Sequence, residues 1–184
     1  LKQANKSLKV VFKNDNPVHF YPADKYLCNN FSGLISEGLK NEQTCIIIAR
    51  YETIIRINKH LRINQVNLMN VIDQGKYIII DSEDLINNIT DKSNIDFDKF
   101  MITIGSIIRE ASKSYKSPKV FVEMLDVLLE KGNIEAMKQL EFNWNKLHKK
   151  TSFSLYCAYP ERLYDRASTQ ESELFDELCS YYNN

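Results

Sequence analysis

The chain has 184 residues, 24 Lys and Arg against 24 Asp and Glu, 43% hydrophobic and 11% aromatic residues, the profile of a soluble globular protein that can bury a core without disulfides or metal. A net charge of zero leaves no cationic field to gather it on nucleic acid or anionic lipid, so no nucleic-acid partner is expected. The longest apolar runs, at 45–49 and 77–80, fall far short of the roughly 20 residues that cross a bilayer, so no membrane span is expected in this piece.

Residues 1–16 read as a polar lead-in, flexible or strand-paired around Val10-Val11-Phe12. The start at Leu1, with no Met and no apolar signal region, suggests a fragment of something longer. After Pro17 and Pro22, Asp24 is placed to cap a helix whose Leu27, Phe31, Leu34, Ile35 and Leu39 recur at helical spacing, ending near Lys40. The β-branched run 44–49 has the character of a strand buried on both faces. Ile54, Ile55, Ile57, Leu61 and Ile63 suit a helix, 66–72 is ambiguous, and Gly75 turns into a strand at 77–80. Asp81 ends that strand, and Ser82 is expected to cap a short helix through Ile89.

A further helical stripe runs from Phe97 to about Tyr115, followed by the short strand 119–122. A helix is predicted over 123–131, broken at Gly132-Asn133, and another over 134–149 with Met137, Leu140, Trp144 and Leu147 on one face. A last strand spans 151–158, and Leu174, Phe175 and Leu178 mark a helical stripe in the tail. Strands alternating with helices imply an α/β fold, a mainly parallel central sheet flanked by helices, in which ligands gather at the strands' carboxyl ends.

Chemistry is sparse. The residues after the first long strand, Ala49-Arg50-Tyr51-Glu52-Thr53-Ile54, contain no glycine, and neither GK[ST] nor GxGxxG occurs in the chain, which has 5 glycines. Nucleotide turnover is therefore the weakest of three readings. His19, His60 and His148 form no HExxH and face no GxSxG elbow, so no catalytic residue and no metal or other cofactor is assigned. His60 and His148, among Lys and Arg, are expected in solvent, whereas His19 precedes the first helix and is a candidate to line a site. Glu123 stands at a strand end, where it either faces a crevice or caps the next helix. Trp144 reads as core. The widely spaced Cys28, Cys45, Cys157 and Cys179 suggest reduced thiols and a cytoplasmic setting.

Several segments together carry a family pattern. Val122-Glu123-Met124, Gly132-Asn133 with Glu135-Ala136, Leu140-Glu141 with Trp144-Asn145 and Leu147, and Phe153-Ser154-Leu155 with Cys157-Ala158-Tyr159-Pro160 match GEM, GN.EA, LE..WN.L and FSL.CAYP. With His19-Phe20-Tyr21, Glu42, the 45–49 strand, Gly75, Tyr77 and Asp81-Ser82, the chain resembles the MEDS family, the methanogen/methylotroph sensory domain, over residues 19–179. It departs at Val122, where the family has glycine, at Arg50, where a small polar residue is usual, and at Tyr181, in place of a histidine.

The resemblance implies a RecA/KaiC-like three-layer core without Walker A, forming one sensory domain over 17–184. It also implies a non-enzymatic input module that senses a small organic, hydrocarbon-derived molecule and signals to a linked module such as a histidine kinase. The ligand is expected at the sheet's carboxyl edge, among His19, Tyr21, Arg50, Tyr51, Asp81, Glu123 and Tyr159. The other reading is a protein-interaction or dimerisation module with no small ligand, and a homodimer is open in both.

Overall fold

A computed structural model of the chain describes residues 9–13, 16–113 and 116–160, with side chains from Tyr21 onward except that of Leu129. The expected tail stripe of Leu174, Phe175 and Leu178, and Cys179, lie outside the described residues.

Six strands form one sheet in the order β1-β2-β8-β7-β3-β4. They are β1 (Lys9–Lys13), β2 (Asn16–Tyr21), β3 (Cys45–Ala49), β4 (Tyr77–Asp81), β7 (Lys119–Val122) and β8 (Ser154–Pro160). All pairs are parallel except β1 with β2, so the lead-in contributes an antiparallel edge strand. Because successive side chains alternate across a strand, the sheet feeds two separate cores. Ile46, Ile48, Val120, Val122, Leu155 and Cys157 face one, and Cys45, Ile47, Phe121 and Ala158 face the other.

The second face is covered by α1 (Asp24–Lys40), α2 (Tyr51–Ile63) and α3 (Leu68–Asp73). Phe121 sits at its centre, edge-on to Phe31 at 5.2 Å and stacked on Tyr156 at 4.8 Å. The first face is covered by α4 (Ser82–Ile89), α5 (Phe97–Phe100), α6 (Ser106–Ala111), α7 (Leu125–Glu130) and α8 (Ile134–His148). Trp144 packs edge-on against Phe100 at 5.3 Å, a core role as its place in the helical stripe implies. The result is the three-layer α/β fold expected from the alternation of elements.

Local differences from the sequence reading have physical causes. Asp24 is the first residue of α1 rather than its cap; Ala23 takes that place with extended backbone and no side-chain bond, and Asp24 contributes charge to the first turn. The helix expected to be capped by Ser82 is capped by Asp81, whose Oδ1 accepts from the amides of Glu83 and Asp84 at 2.9 and 3.0 Å. The stripe from Phe97 is one helical run with a π turn at Met101–Gly105, where the Thr103 hydroxyl bonds back to the Lys99 carbonyl at 2.7 Å. A hairpin, β5 (Thr90–Asp91) and β6 (Asn94–Ile95), precedes it, turned by Lys92 and Ser93 at φ of 45° and 76°. His148 is half-buried rather than in solvent, with Nε2 3.1 Å from the Phe153 carbonyl and its ring edge-on to Phe153, and His60 is half-buried as well.

Candidate functional site

The parallel strands bring their carboxyl ends to one edge of the sheet. Ala49 pairs in register with Asp81, and the Glu123 amide donates to the Ile48 carbonyl at 2.8 Å, which sets Glu123 directly after β7 and beside the end of β3. β3 passes into α2 with no glycine loop. Arg50 is extended, caps α2 without using its side chain, and its carbonyl accepts from the Ile54 amide at 3.0 Å. Its own amide points across the edge.

Glu123 is the centre of the arrangement. It is 3% exposed and lies outside α7, which begins only at Leu125. Its Oε1 accepts the Tyr21 hydroxyl at 3.1 Å, its Oε2 accepts the Arg50 amide at 3.3 Å, and the hydroxyl of buried Thr53 bonds the same carboxyl group. Burial, then the charge of Asp126, push its pKa up, while the bonds from Thr53, Tyr21 and Arg50 pull it down, leaving it at about 7. A carboxyl group poised there exists in both forms near neutrality, so it accepts hydrogen bonds when ionised and donates one when protonated. Tyr21, 2% exposed, is held well above the ordinary tyrosine range by burial and by the Glu123 charge.

The Arg50 guanidinium closes the outer side. Nη2 lies 2.6 Å from Glu130 Oε2 and 3.5 Å from Asp126 Oδ2, and Nε makes no hydrogen bond among the described residues. Burial works against its charge, yet the Glu130 bond and the charges of Asp126, Glu130 and Glu123 raise its pKa overall. Asp126 is itself buried, its Oδ1 accepting the Val127 amide at 2.9 Å. Two acidic groups, Asp126 and Glu130, thus hold one guanidinium, with Glu123 on the same residue's amide, and an added phosphate would meet carboxylates where a phosphate loop supplies amides.

Of the residues expected at the edge, Tyr21, Arg50 and Glu123 come together. Arg50 and Glu123 meet through the arginine's amide, and the guanidinium turns to Asp126 and Glu130. Tyr51 opens α2 and is exposed. Asp81 caps α4. Tyr159 lies on the opposite face, where its hydroxyl donates to Glu141 Oε1 at 2.6 Å. His19 is in β2, paired with Ala158 and Val10. Thr53, Asp126 and Glu130 belong to the cluster and were not anticipated, although Thr53 follows Arg50 by three residues and Asp126 follows Glu123 by three, the spacing of one helical turn. Among the described residues, hollows of about 810, 490 and 370 Å³ lie elsewhere, that of 810 Å³ between α1 and the end of α2. Among the described residues no group of three His, Cys, Asp or Glu could hold a metal ion, and no helix is long and apolar enough to cross a membrane.

Fold and edge together define a three-layer α/β protein whose β3–α2 junction carries Arg50-Tyr51-Glu52 and a buried carboxyl cluster. The chain belongs to the MEDS family: the family model described as methanogen/methylotroph, DcmR sensory domain matches residues 17–175. MEDS is a sensory-domain family, so the chain's role is sensory input. No curated protein and no solved structure matches the chain.

Proposed function

We propose that this chain is a non-enzymatic input domain, extending over 17–184, that binds a small organic molecule at the carboxyl edge of its sheet and signals to a linked module such as a histidine kinase. The observation that supports it most is Glu123, a buried carboxyl group with a pKa of about 7, held by the Tyr21 hydroxyl and the Arg50 amide where parallel α/β sheets place ligands. The acids around it disfavour nucleotides and other polyanions, and favour a neutral or cationic ligand with a hydrogen-bond donor. Such a molecule competes with Tyr21 for Glu123, and the released Tyr21, at the last position of β2, carries the change into the sheet. The buried, free thiols Cys28 and Cys45 fit a reducing, cytoplasmic setting.

Mass spectrometry of small molecules released from the purified chain tests the reading, followed by titration of whatever is found against Glu123→Gln. A bound organic molecule whose affinity falls at least tenfold in the folded variant is the expected result. Recovery of no ligand, or equal binding by Glu123→Gln, removes this site from consideration.

A further inference from the structure

The open edge of the sheet carries a second feature, independent of the Glu123 site. β4 has β3 on one side, and among the described residues no strand pairs with its other side. The Cys45 amide donates to the Lys76 carbonyl at 2.8 Å, and Cys45 is in register with Tyr77. Parallel pairing then turns the backbone groups of Lys76, Ile78 and Ile80 toward β3, and those of Tyr77, Ile79 and Asp81 outward. The Asp81 carbonyl begins the hydrogen bonding of α4, which leaves its amide and both backbone groups of Tyr77 and Ile79 facing outward.

Little in this strand blunts the edge. Residues 77–80 contain no charged residue and no proline, the usual protections of a free edge, and the strand's one charge, Asp81, stands at its last position. The side chains beside it are apolar and exposed: Ile79 at 36%, Ile55 at 49% and Tyr51 at 64%. They are adjacent by construction. The Tyr77 hydroxyl bonds Asn58 Oδ1 at 3.1 Å, so the next position up β4 on that face, Ile79, lies beside the preceding turns of α2, which carry Ile55 and Tyr51.

We propose that β4 docks a second copy of this chain, the two β4 strands pairing antiparallel about a two-fold axis through Ile79. That register opposes Ile79 to Ile79 and Tyr77 to Asp81, the alignment that engages every outward-facing position of the strand. The axis is perpendicular to the sheet, so Tyr51, Ile55 and Ile79 of both copies meet on one face. Charge complementarity selects the same partner. Lys76 stands at the amino end of β4, and Asp81, Glu83 and Asp84 stand at its carboxyl end, so the antiparallel arrangement sets each copy's basic end against the other's acidic end. Lys76 already pairs with Glu42 in its own chain and joins the partner's Glu83 to that group.

Sedimentation equilibrium of the full chain, from micromolar to millimolar concentration, tests the proposal. The expected result is twice the chain mass at the upper end, and the chain mass throughout for Ile79→Lys and Ile79→Pro with unchanged circular dichroism. The proline is informative because the Ile79 amide makes no bond to β3. Lys76→Glu should weaken the dimer, and Glu83→Lys in the same chain should restore it. A monomer at every concentration, or a dimer that survives both Ile79 substitutions in folded protein, overturns the proposal.

Discussion

Each face of the sheet holds a buried tyrosine bonded to a buried glutamate near the carboxyl edge: Tyr21 with Glu123 on the α1–α2 face, Tyr159 with Glu141 on the α7–α8 face. The chemistry is the same and the settings differ. Glu141 comes from the middle of α8, beside Leu140 and Trp144, and its bond of 2.6 Å ties that helix to β8. Glu123 comes from the end of a strand, shares three donors, and has Asp126 close enough to raise its pKa. A polar pair is structural where a helix needs anchoring, and becomes a candidate site where its acid is poised to change protonation at the sheet edge.

The harshest way to break the comparison is to remove the core on one side. Trp144→Ala should cost about 3–5 kcal/mol, as large aromatic truncations do, while leaving the Glu123 titration at about 7. Urea unfolding gives the first quantity and carboxyl carbon chemical shifts against pH give the second; a moved titration would show that the two faces are coupled.

Glu123 itself should give the next largest effect. Its pKa rises from 4.5 to about 7 on folding, so the native state binds the extra proton between these values and stability falls as pH rises through that window. The loss is roughly 3–4 kcal/mol, at about 1.4 kcal/mol for each pKa unit. It is complete above about pH 7 and absent below about 4.5. Glu123→Gln should flatten this part of the stability profile, and an unchanged slope in the variant would assign the pH dependence to other groups.

The tyrosines sharpen the contrast. Tyr159→Phe removes a short bond from the buried interior and should cost about 1–3 kcal/mol. Tyr21→Phe removes a longer bond from a carboxyl group that keeps the Arg50 amide, and should cost about 1 kcal/mol or less. Because the Tyr21 bond lowers the Glu123 pKa, its loss should also move the titration above 7. Equal costs and unmoved titrations would make the two pairs equivalent.

Most of the scaffold was legible in the sequence, because apolar periodicity decides which side of each element is buried. The strand Cys45–Ala49 is buried at every position, and Leu27, Phe31 and Ile35 line α1 as their spacing requires. Periodicity is silent on which strand ends become neighbours. Tyr21 and Glu123 are separated by 102 positions, and their contact depends on the strand order β2-β8-β7. The hairpin at Lys92 and Ser93 escaped notice because those residues adopt positive φ without the Asn-Gly signature that announces such turns. Tyr159 is expected at the same edge as Tyr21, but it lies in register with Phe20, so strand parity sends it to the other face.

Asp81 offers the mildest test. Like Glu123 it terminates an apolar strand at the carboxyl edge, yet its Oδ1 is already occupied by the amides of Glu83 and Asp84, and it is not a bonding partner of the Glu123 cluster among the described residues. A capping role predicts that Asp81→Ala lowers stability by about 1 kcal/mol, while Asp81→Asn, whose amide oxygen caps equally well, changes it by no more than a few tenths. A site role reverses the order of importance: charge would matter more than the cap, and Asp81→Asn would weaken ligand binding while stability held. Thermal melts of the two variants, read beside their ligand affinity, separate these outcomes. The capping geometry, with both bonds to Oδ1 running to the first turn of α4, leads us to expect the first.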